Sequence, residues 1–374
     1  MTDQHPIRAG ALLSIDLDAL CDNWRSLKAR LASAECAAVV KADAYGLGAA
    51  RVAPALYRAG CRNFFVAHLN EGIALRPALP ADASIYVLHG PHPGDEREFV
   101  HHRLVPVLNS LPQLGAWQSL ARDLDTVLPA ILQVDTGMAR LGLALDEFER
   151  VASSPALLLG LSLKFIISHL ASAEDQDNPA NPLQLARFRE AMARLPGVPG
   201  SLANSSGIFL GDDYHFNLVR PGAALYGVAP VAGQANPMRP VIRLQGKVLQ
   251  TRTIAAGTAV GYSHTWTAPH PSRIATVAVG YADGYLRSLS NRGTVSCDGI
   301  PLPLIGNISM DTLIADITDL PEGRIAEGEL LDLADPLNGV DAIAARAGTI
   351  GYEILTSLGR RYARRYTGGG GEDV

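Results

Sequence analysis

The segment AAVVKADAYGLG, residues 37 to 48, combines a short apolar run with a lysine, a tyrosine and two glycines. Its first part, Ala37 to Val40, is typical of a strand that is buried on both faces of a parallel sheet. Lys41 follows this strand directly, so we expect its ammonium group at the carboxyl end of the strand. The same pattern, a buried strand and then a polar residue, recurs as far as Arg220.

Similar apolar runs alternate with longer stretches of helical spacing, such as Asp18 to Leu31 and Pro182 to Leu195. The predicted strands are Ala37 to Val40, Phe64 to Ala67, Ile85 to Leu88, Leu104 to Leu108, Ile131 to Val134, Lys164 to Ser168, Ser201 to Ala203 and Asn217 to Val219. Eight strand and helix units predict an α/β protein with a closed (β/α)8 barrel, a TIM barrel, which we assign to residues 1–240.

Polar residues follow most of these strands, and in a (β/α)8 barrel such positions line the active-site face. They are Lys41, His68, His89, Asp135, His169, Asn204 and Arg220. After Pro240 the pattern changes, because β-branched and polar residues alternate between glycine-containing turns from Val241 to Leu333. This alternation predicts a mostly antiparallel β domain, residues 241–374, with helical pieces at Gly339 to Ala347 and Ile354 to Arg361.

The composition favours a small-molecule partner. Lys and Arg number 32 against 37 Asp and Glu, a net charge of -5, which supplies no general field for nucleic acid or an anionic membrane. No apolar stretch is long enough to span a bilayer, and MTDQHPIRAG at the start does not resemble a secretory signal. Four cysteines without a CxxC pair predict reduced, buried thiols in a cytoplasmic protein, and we predict no metal site.

Lys41 alone indicates little, since a lysine after a strand more often forms a salt bridge or contacts a phosphate. The residues around Lys41 strengthen the case for a ligand site, because Tyr45 offers a hydroxyl group and the nearby glycines allow a ligand to approach the backbone closely. The late loops ANSSG (Ala203 to Gly207) and VRPGAALYG (Val219 to Gly227) lie where barrels usually bind phosphate, although each alone could be an ordinary turn. Together these features predict a phosphate-bearing aldehyde cofactor.

Eight segments resemble, in order and along nearly the whole chain, the motifs of alanine racemases. They are VVKADAYGLG, VDTGMARLGL, SHLASAE, ANSSG, VRPGAALYG, VGYADGY, SMD and GTIGYEIL. The resemblance implies a barrel followed by a β domain, pyridoxal phosphate as cofactor, and L- and D-alanine as substrates. It also implies a head-to-tail homodimer with shared active sites, and we expect the D-alanine to supply peptidoglycan.

The resemblance also implies roles for individual residues. Lys41 would hold the cofactor covalently and move the α-proton on one face, while Tyr281 of the partner subunit would serve the other face. His169 and Arg220 would form a hydrogen-bonded chain to Tyr281, with Arg220 also facing the pyridine nitrogen. Arg140 and the backbone amide of Met310 would bind the substrate carboxylate. The cofactor, chiefly its phosphate, would be held by Tyr45, Asn204, Ser205, Gly222 and Tyr352.

The chain departs from the family pattern at three positions. Many members have a carbamylated lysine seven residues before the arginine that corresponds to Arg140, but this chain has Gln133. We predict that the Gln133 amide oxygen accepts a hydrogen bond from Arg140 and that activity does not depend on carbon dioxide. Asn307 and Ser309 replace the usual arginine and cysteine, and we expect them to affect the substrate entryway.

Three alternatives to alanine racemisation remain open. A related racemase could act on serine, lysine or arginine. A decarboxylase of the same fold would need a carboxylate at the ring nitrogen and a catalytic cysteine in the β domain, where Cys297 stands outside any such motif. A pyridoxal-phosphate-binding regulator built on a similar barrel would lack the large β domain that begins near Val241.

Overall fold

The computed structural model describes residues 8–370, and these form two compact units. The barrel unit consists of Leu20–Leu225 and Ala229–Met238, and the β unit consists of residues 8–19, Tyr226–Val228 and residues 239–370. In chain order the strands are β1 (Ala11–Asp16), β2 (Glu35–Cys36), β3 (Ala38–Val39), β4 (Asn63–Val66), β5 (Ser84–Val87), β6 (Val105–Leu108), β7 (Leu128–Gln133), β8 (Leu161–Ile167), β9 (Gly200–Ser201), β10 (Leu218–Val219), β11 (Ile242–Ile254), β12 (Ala259–Val260), β13 (Trp266–Thr267), β14 (Ser272–Val277), β15 (Thr294–Cys297), β16 (Ile300–Pro303), β17 (Leu313–Asp316), β18 (Leu330–Ala334) and β19 (Ala363–Thr367).

The helical elements follow most of the barrel strands and end the β unit. They are α1 (Leu17–Lys28), α2 (Lys41–Tyr45), α3 (Ala49–Ala59), α4 (Leu69–Leu75), α5 (Glu96–His101), α6 (Leu111–Asp123), α7 (Leu145–Ala152), α8 (Ala180–Arg194), α9 (Val340–Ala347) and α10 (Gly351–Ser357). Among the residues that the structure describes, no helix is long and apolar enough to cross a membrane.

The barrel is a closed ring of parallel strands. Strands β3 to β9 pair in chain order, and β10 pairs with β2, which leads into β3. The ring closes between β9 and β10, where the Asn217 amide donates to the Gly200 carbonyl oxygen at 3.0 Å and the Arg220 amide to the Ala203 carbonyl oxygen at 2.9 Å. The predicted (β/α)8 barrel is therefore confirmed, and each predicted strand overlaps an observed one.

The predicted helical interval fails in one place, between β9 and β10. That connection has only two short 3-10 turns, Gly207–Leu210 and Asp212–Tyr214. Gly207 and Gly211 make a regular helix unfavourable here, and Gly211 has a left-handed φ of 108°. Because this connection has turns in place of a helix, the loop after β9 lies close to the loop after β10.

The β unit is mostly antiparallel, as predicted. Its long strand β11 pairs antiparallel with β1, β14 and β18, and only β1 and β19 pair in parallel. Strand β1 lies in the β unit, although it falls within the predicted barrel range 1–240. Its apolar residues Leu13 and Ile15 are fully buried there. The predicted boundary at residue 240 stays a prediction.

Two further details of the sequence analysis are settled by the structure. Helix α9 agrees with the predicted Gly339 to Ala347, whereas α10 begins and ends earlier than the predicted Ile354 to Arg361. Strand β19 was not predicted. All four cysteines are buried thiols, as expected.

Candidate active site

Lys41 begins an unusual turn, α2, which we call the Lys41 turn. The next four residues, Ala42 to Tyr45, all have φ between 52° and 54°, so the backbone coils in the left-handed direction. None of them is glycine, and each left-handed residue of this kind costs about 1–2 kcal/mol. Such a conformation persists only where the surroundings hold it in place.

The carboxylate of Glu71 holds this turn. Its Oε1 accepts a hydrogen bond from the Ala42 amide at 2.6 Å. Its Oε2 accepts bonds from the Ala67 amide at 2.7 Å and the His68 amide at 3.0 Å. Glu71 therefore joins the first residue after Lys41 to the end of β4 and the start of α4. Sequence analysis did not select it, although its spacing of three residues from His68 is typical of a helix-capping acid.

Four cationic or potentially cationic side chains act on one another at the barrel site. Burial lowers the pKa of Lys41, Arg140 lowers it further, and Glu71 partly opposes the shift. Burial also lowers the pKa of His169 to about 3, and the charges of Arg220, Arg140 and Lys41 add to this effect. The site thus favours neutral His169 and attracts an anion.

Arg220 is the buried cation of this group, with 4% of its surface exposed. Its guanidinium donates to the carbonyl oxygen of Ser201 at 2.7 Å and to that of Ser168 at 2.5 Å, and burial lowers its pKa to about 10. Ser168 belongs to a polar network with Thr136, in which the two hydroxyl oxygens lie 2.8 Å apart. Arg220 is therefore fixed in place by neutral acceptors and keeps its charge.

Tyr45, Ser205 and Gly222 form a small cradle at the barrel site. The Ser205 hydroxyl oxygen accepts bonds from the amides of Gly222 at 2.9 Å and Ala224 at 3.2 Å. A Cβ atom at Gly222 would lie 2.3 Å from the Tyr45 hydroxyl oxygen, so the close approach of Tyr45 requires glycine at this position. Hydroxyl groups and backbone amides of this kind bind phosphate, and the residues present fit the phosphate of pyridoxal phosphate.

Asn204 lies in the loop after β9. Its side-chain oxygen accepts a bond from the Gly207 amide at 2.9 Å and so supports the loop after β9. Within the described range 8–370, no group of three or more potential ligand residues could hold a metal ion.

The β unit carries the other predicted site residues, Tyr281, Met310 and Tyr352, which are 43%, 54% and 39% exposed. The amide of Tyr281 donates to the Ser309 carbonyl oxygen and the amide of Ala282 to the Met310 carbonyl oxygen, both at 3.0 Å. The Tyr281 turn, Gly280 to Gly284, therefore lies directly against the segment 309–310.

The three departures from the family pattern have defined contacts. Gln133 is buried, and its amide nitrogen donates to the Leu141 carbonyl oxygen at 3.1 Å. The predicted hydrogen bond from Arg140 to Gln133 is therefore wrong among the described contacts: Gln133 uses its amide group on the adjacent backbone, and Arg140 is exposed. The side-chain amide nitrogen of Asn307 donates to the Tyr262 carbonyl oxygen at 2.9 Å, and the Ser309 hydroxyl group donates to the Thr312 carbonyl oxygen.

A barrel that presents a partly buried lysine beside other cations and a cradle of hydroxyl groups and backbone amides has the features of a pyridoxal-phosphate enzyme. Residues 15–230 match the family model of the alanine racemase N-terminal domain, and residues 241–366 match that of the C-terminal domain. The chain belongs to the alanine racemase family and is an isomerase that uses pyridoxal phosphate.

Individual relatives agree with this assignment. The chain is 51% identical over 358 residues to "Alanine racemase, catabolic" of Agrobacterium fabrum, covering 96% of this chain and 92% of the relative. It is 49% identical to an alanine racemase of Brucella canis, covering 99% and 97%. The structure of alanine racemase from Bartonella henselae with covalently bound pyridoxal phosphate is 44% identical, with a TM-score of 0.92 and coverage of 96% and 100%.

Proposed function

We propose that the enzyme interconverts L- and D-alanine with two bases, Lys41 on one face of the substrate and Tyr281 of the partner subunit on the other. The observation that carries this proposal is the position of Lys41, which begins a held turn and whose pKa is lowered by burial and by the neighbouring Arg140. A lysine with a lowered pKa is neutral in a larger fraction of molecules and can accept a proton. Bound pyridoxal phosphate supplies the electron sink that makes the α-hydrogen acidic.

Arg220 and His169 set the electrostatics of this site in our proposal. Arg220 would hold the pyridine nitrogen of the cofactor and, because a guanidinium group keeps its proton, would not protonate that nitrogen. Neutral His169 is supported by its pKa of about 3, and it connects Arg220 with Tyr281.

We assign the binding roles from the same contacts. Tyr45, Ser205 and Gly222 hold the cofactor phosphate together with Tyr352, while Asn204 supports the cofactor loop. The substrate carboxylate binds to Arg140 and to the backbone amide of Met310. Asn307 and Ser309 shape the approach of the substrate, so rates on L-serine, L-lysine and L-arginine test whether alanine is preferred.

A homodimer with shared active sites follows from these roles. Tyr281, Met310 and Tyr352 are large side chains that are exposed on the β unit, so they are available for contact with a partner subunit. Mixing two inactive variants tests the sharing: Lys41→Ala and Tyr281→Phe subunits, denatured and refolded together, should regain part of the activity. Each variant alone should stay inactive, and the Lys41→Ala protein should lack the visible absorbance of the bound cofactor.

Two results would contradict the proposal. A fully active Lys41→Ala enzyme would remove the proposed base, and mixed subunits that regain no activity would argue against shared sites. Wild-type enzyme in heavy water should exchange the α-hydrogen of alanine, which a pyridoxal-phosphate-binding regulator would not do.

We also propose a metabolic role for the enzyme, the supply of D-alanine for peptidoglycan. A catabolic role is the second candidate, because relatives from Agrobacterium fabrum and Mesorhizobium japonicum carry "catabolic" in their names. A strain without the gene should require D-alanine if the first role holds, or fail to grow on alanine as sole carbon source if the second does. The cytoplasmic location stays a prediction of the sequence.

A further inference from the structure

We propose that Arg361 is a positioning residue that joins the Tyr281 turn to the segment carrying Met310, so that the base and the carboxylate-binding amide move as one piece. This proposal rests on the proposed function of Tyr281 and Met310. Arg361 lies just before β19, outside every motif that the sequence analysis used. The guanidinium group has one carboxylate partner in each of the two segments.

The first partner is Asp283, which lies in the Tyr281 turn and is 4% exposed. Arg361 Nε donates to Asp283 Oδ1 at 2.6 Å and Arg361 Nη2 to Asp283 Oδ2 at 2.8 Å, a bidentate pair. Asp283 Oδ2 also accepts a bond from the Gly280 amide at 2.9 Å. The carboxylate therefore links Arg361 to the residue directly before Tyr281.

The second partner is Asp311, the residue after Met310. Arg361 Nη1 donates to Asp311 Oδ1 at 2.8 Å. The two carboxylates raise the pKa of Arg361, which is expected of a guanidinium group held between opposite charges. One planar cation thus reinforces the two backbone bonds that hold the Tyr281 turn against the segment 309–310, and it extends the connection to Asp311.

The backbone makes the turn stiff enough for this coupling. The Gly359 amide donates to the Asp283 carbonyl oxygen at 2.9 Å, which ties the Arg361 segment to the turn a second time. Gly284 has a left-handed φ of 90°, and a Cβ there would lie 1.8 Å from the Ser357 carbonyl oxygen. The turn has no room to relax toward its neighbours, so Arg361 and Asp283 set its orientation.

Loss of this positioning has a signature that loss of stability lacks. If Tyr281 is misplaced, Lys41 still removes and returns the α-hydrogen on its own face, and only inversion slows. Two rates are compared in heavy water: exchange of the α-hydrogen with retained configuration, and inversion. For the enantiomer whose α-hydrogen faces Lys41, the ratio of the first rate to the second should therefore rise. A misplacement near 1 Å can reduce a rate by about 100-fold.

The experiment compares Arg361→Lys with a matched control, Arg243→Lys, in the cofactor-loaded enzyme. Arg243 forms a similar bidentate pair with Asp332 in the same unit, at 2.6 Å and 2.9 Å, and Asp332 is also buried. Arg361→Lys should raise the exchange-to-inversion ratio about tenfold or more, because lysine cannot hold two carboxylates in a fixed plane. Arg243→Lys should leave the ratio unchanged even where it lowers the melting temperature.

A second measurement does not depend on turnover. Amide hydrogen exchange in the peptide 279–285 of the cofactor-free protein should speed up in Arg361→Lys and in Asp311→Asn, but not in Arg243→Lys. An unchanged ratio in Arg361→Lys, or an equal rise in Arg243→Lys, would overturn the proposal. Tyr281→Phe separates this result from failure of the proposed function. If Tyr281→Phe leaves the exchange-to-inversion ratio unchanged, the two-base function fails. If the ratio rises in Tyr281→Phe but not in Arg361→Lys, only the role of Arg361 fails.

Discussion

The charges of the barrel site and those behind the Tyr281 turn are arranged in opposite ways. At the barrel site Lys41, Arg140, His169 and Arg220 are close enough to lower pKa values within the group. Behind the Tyr281 turn Arg361 lies between two carboxylates that raise its pKa. The barrel site is thus electrostatically incomplete without an anion, whereas the Tyr281 turn is complete by itself.

This difference suggests that the two regions respond differently to the cofactor. An anionic phosphate relieves the mutual repulsion of the barrel cations, so binding should stabilise the barrel unit through ordinary linkage. The Tyr281 turn gains nothing comparable, because its ion pairs are already formed. Substitutions in the barrel site should therefore act mainly on cofactor affinity, and those behind the turn mainly on the geometry of the reaction.

The largest effect is expected from Gly222→Ala, which tests the barrel side of the comparison. The added methyl group would lie 2.3 Å from the Tyr45 hydroxyl oxygen, so either Tyr45 or the Gly222 loop must move. Overpacking of this kind costs about 1–3 kcal/mol, and we expect cofactor affinity to fall about 100-fold. Titration of the cofactor-free protein with pyridoxal phosphate measures this change by absorbance.

Gly115→Ala is the matched control for that substitution. Gly115 lies within α6, and a Cβ there meets no atom within 4 Å. Alanine in a helix interior stabilises by roughly 0.5–1 kcal/mol relative to glycine, so the control should bind cofactor normally and melt slightly higher. Equal cofactor affinities in Gly222→Ala and Gly115→Ala would show that the cradle does not bind the phosphate.

A smaller effect is expected from Glu71→Gln, which weakens the support of the Lys41 turn. Glutamine has one acceptor oxygen where Glu71 uses two, so at least one backbone amide loses its partner, at a cost of about 1–3 kcal/mol. The pKa of Lys41 should also fall further, because Glu71 raises it. The pH dependence of reductive methylation at Lys41 in the cofactor-free protein measures this shift.

Glu147→Gln is the control, since Glu147 accepts a backbone bond only from the Ala144 amide, at 3.0 Å, at the start of α7. It should leave the pH dependence of Lys41 methylation unchanged. A Lys41 pKa that rises or stays constant in Glu71→Gln would contradict the proposed support.

The contrast between the two regions also explains what the sequence could predict. Strand periodicity placed all eight barrel strands, because residues buried on both faces leave continuous apolar runs such as Phe64 to Ala67. Resemblance supplied the residues expected to contact the cofactor and substrate. Neither revealed the bond from the Ala42 amide to Glu71 or the Arg361 pair, since such hydrogen bonds join chain segments far apart in sequence. The pairing of β1 with β11 and β19 is missing from the sequence analysis for the same reason.

The smallest effect, no effect at all, is expected from carbon dioxide. A carbamylated lysine would add a negative charge to the barrel cations, but Gln133 is neutral and its amide nitrogen is bonded to the Leu141 carbonyl oxygen. The barrel site therefore keeps its excess of positive charge until the cofactor arrives. Wild-type activity should be equal with and without bicarbonate, and the intact mass should show no added carbamate.

The variant Gln133→Lys tests the same point, because its response to bicarbonate can be compared with that of the wild type. The position is 7% exposed, so a charged lysine there is costly, and formation of a carbamate would place a negative charge beside Leu141, the residue after Arg140. The variant should then gain a dependence on bicarbonate that the wild type lacks. A bicarbonate requirement in the wild type would mean that another lysine supplies the negative charge, and the barrel site would no longer be the electrostatically incomplete partner of the Tyr281 turn.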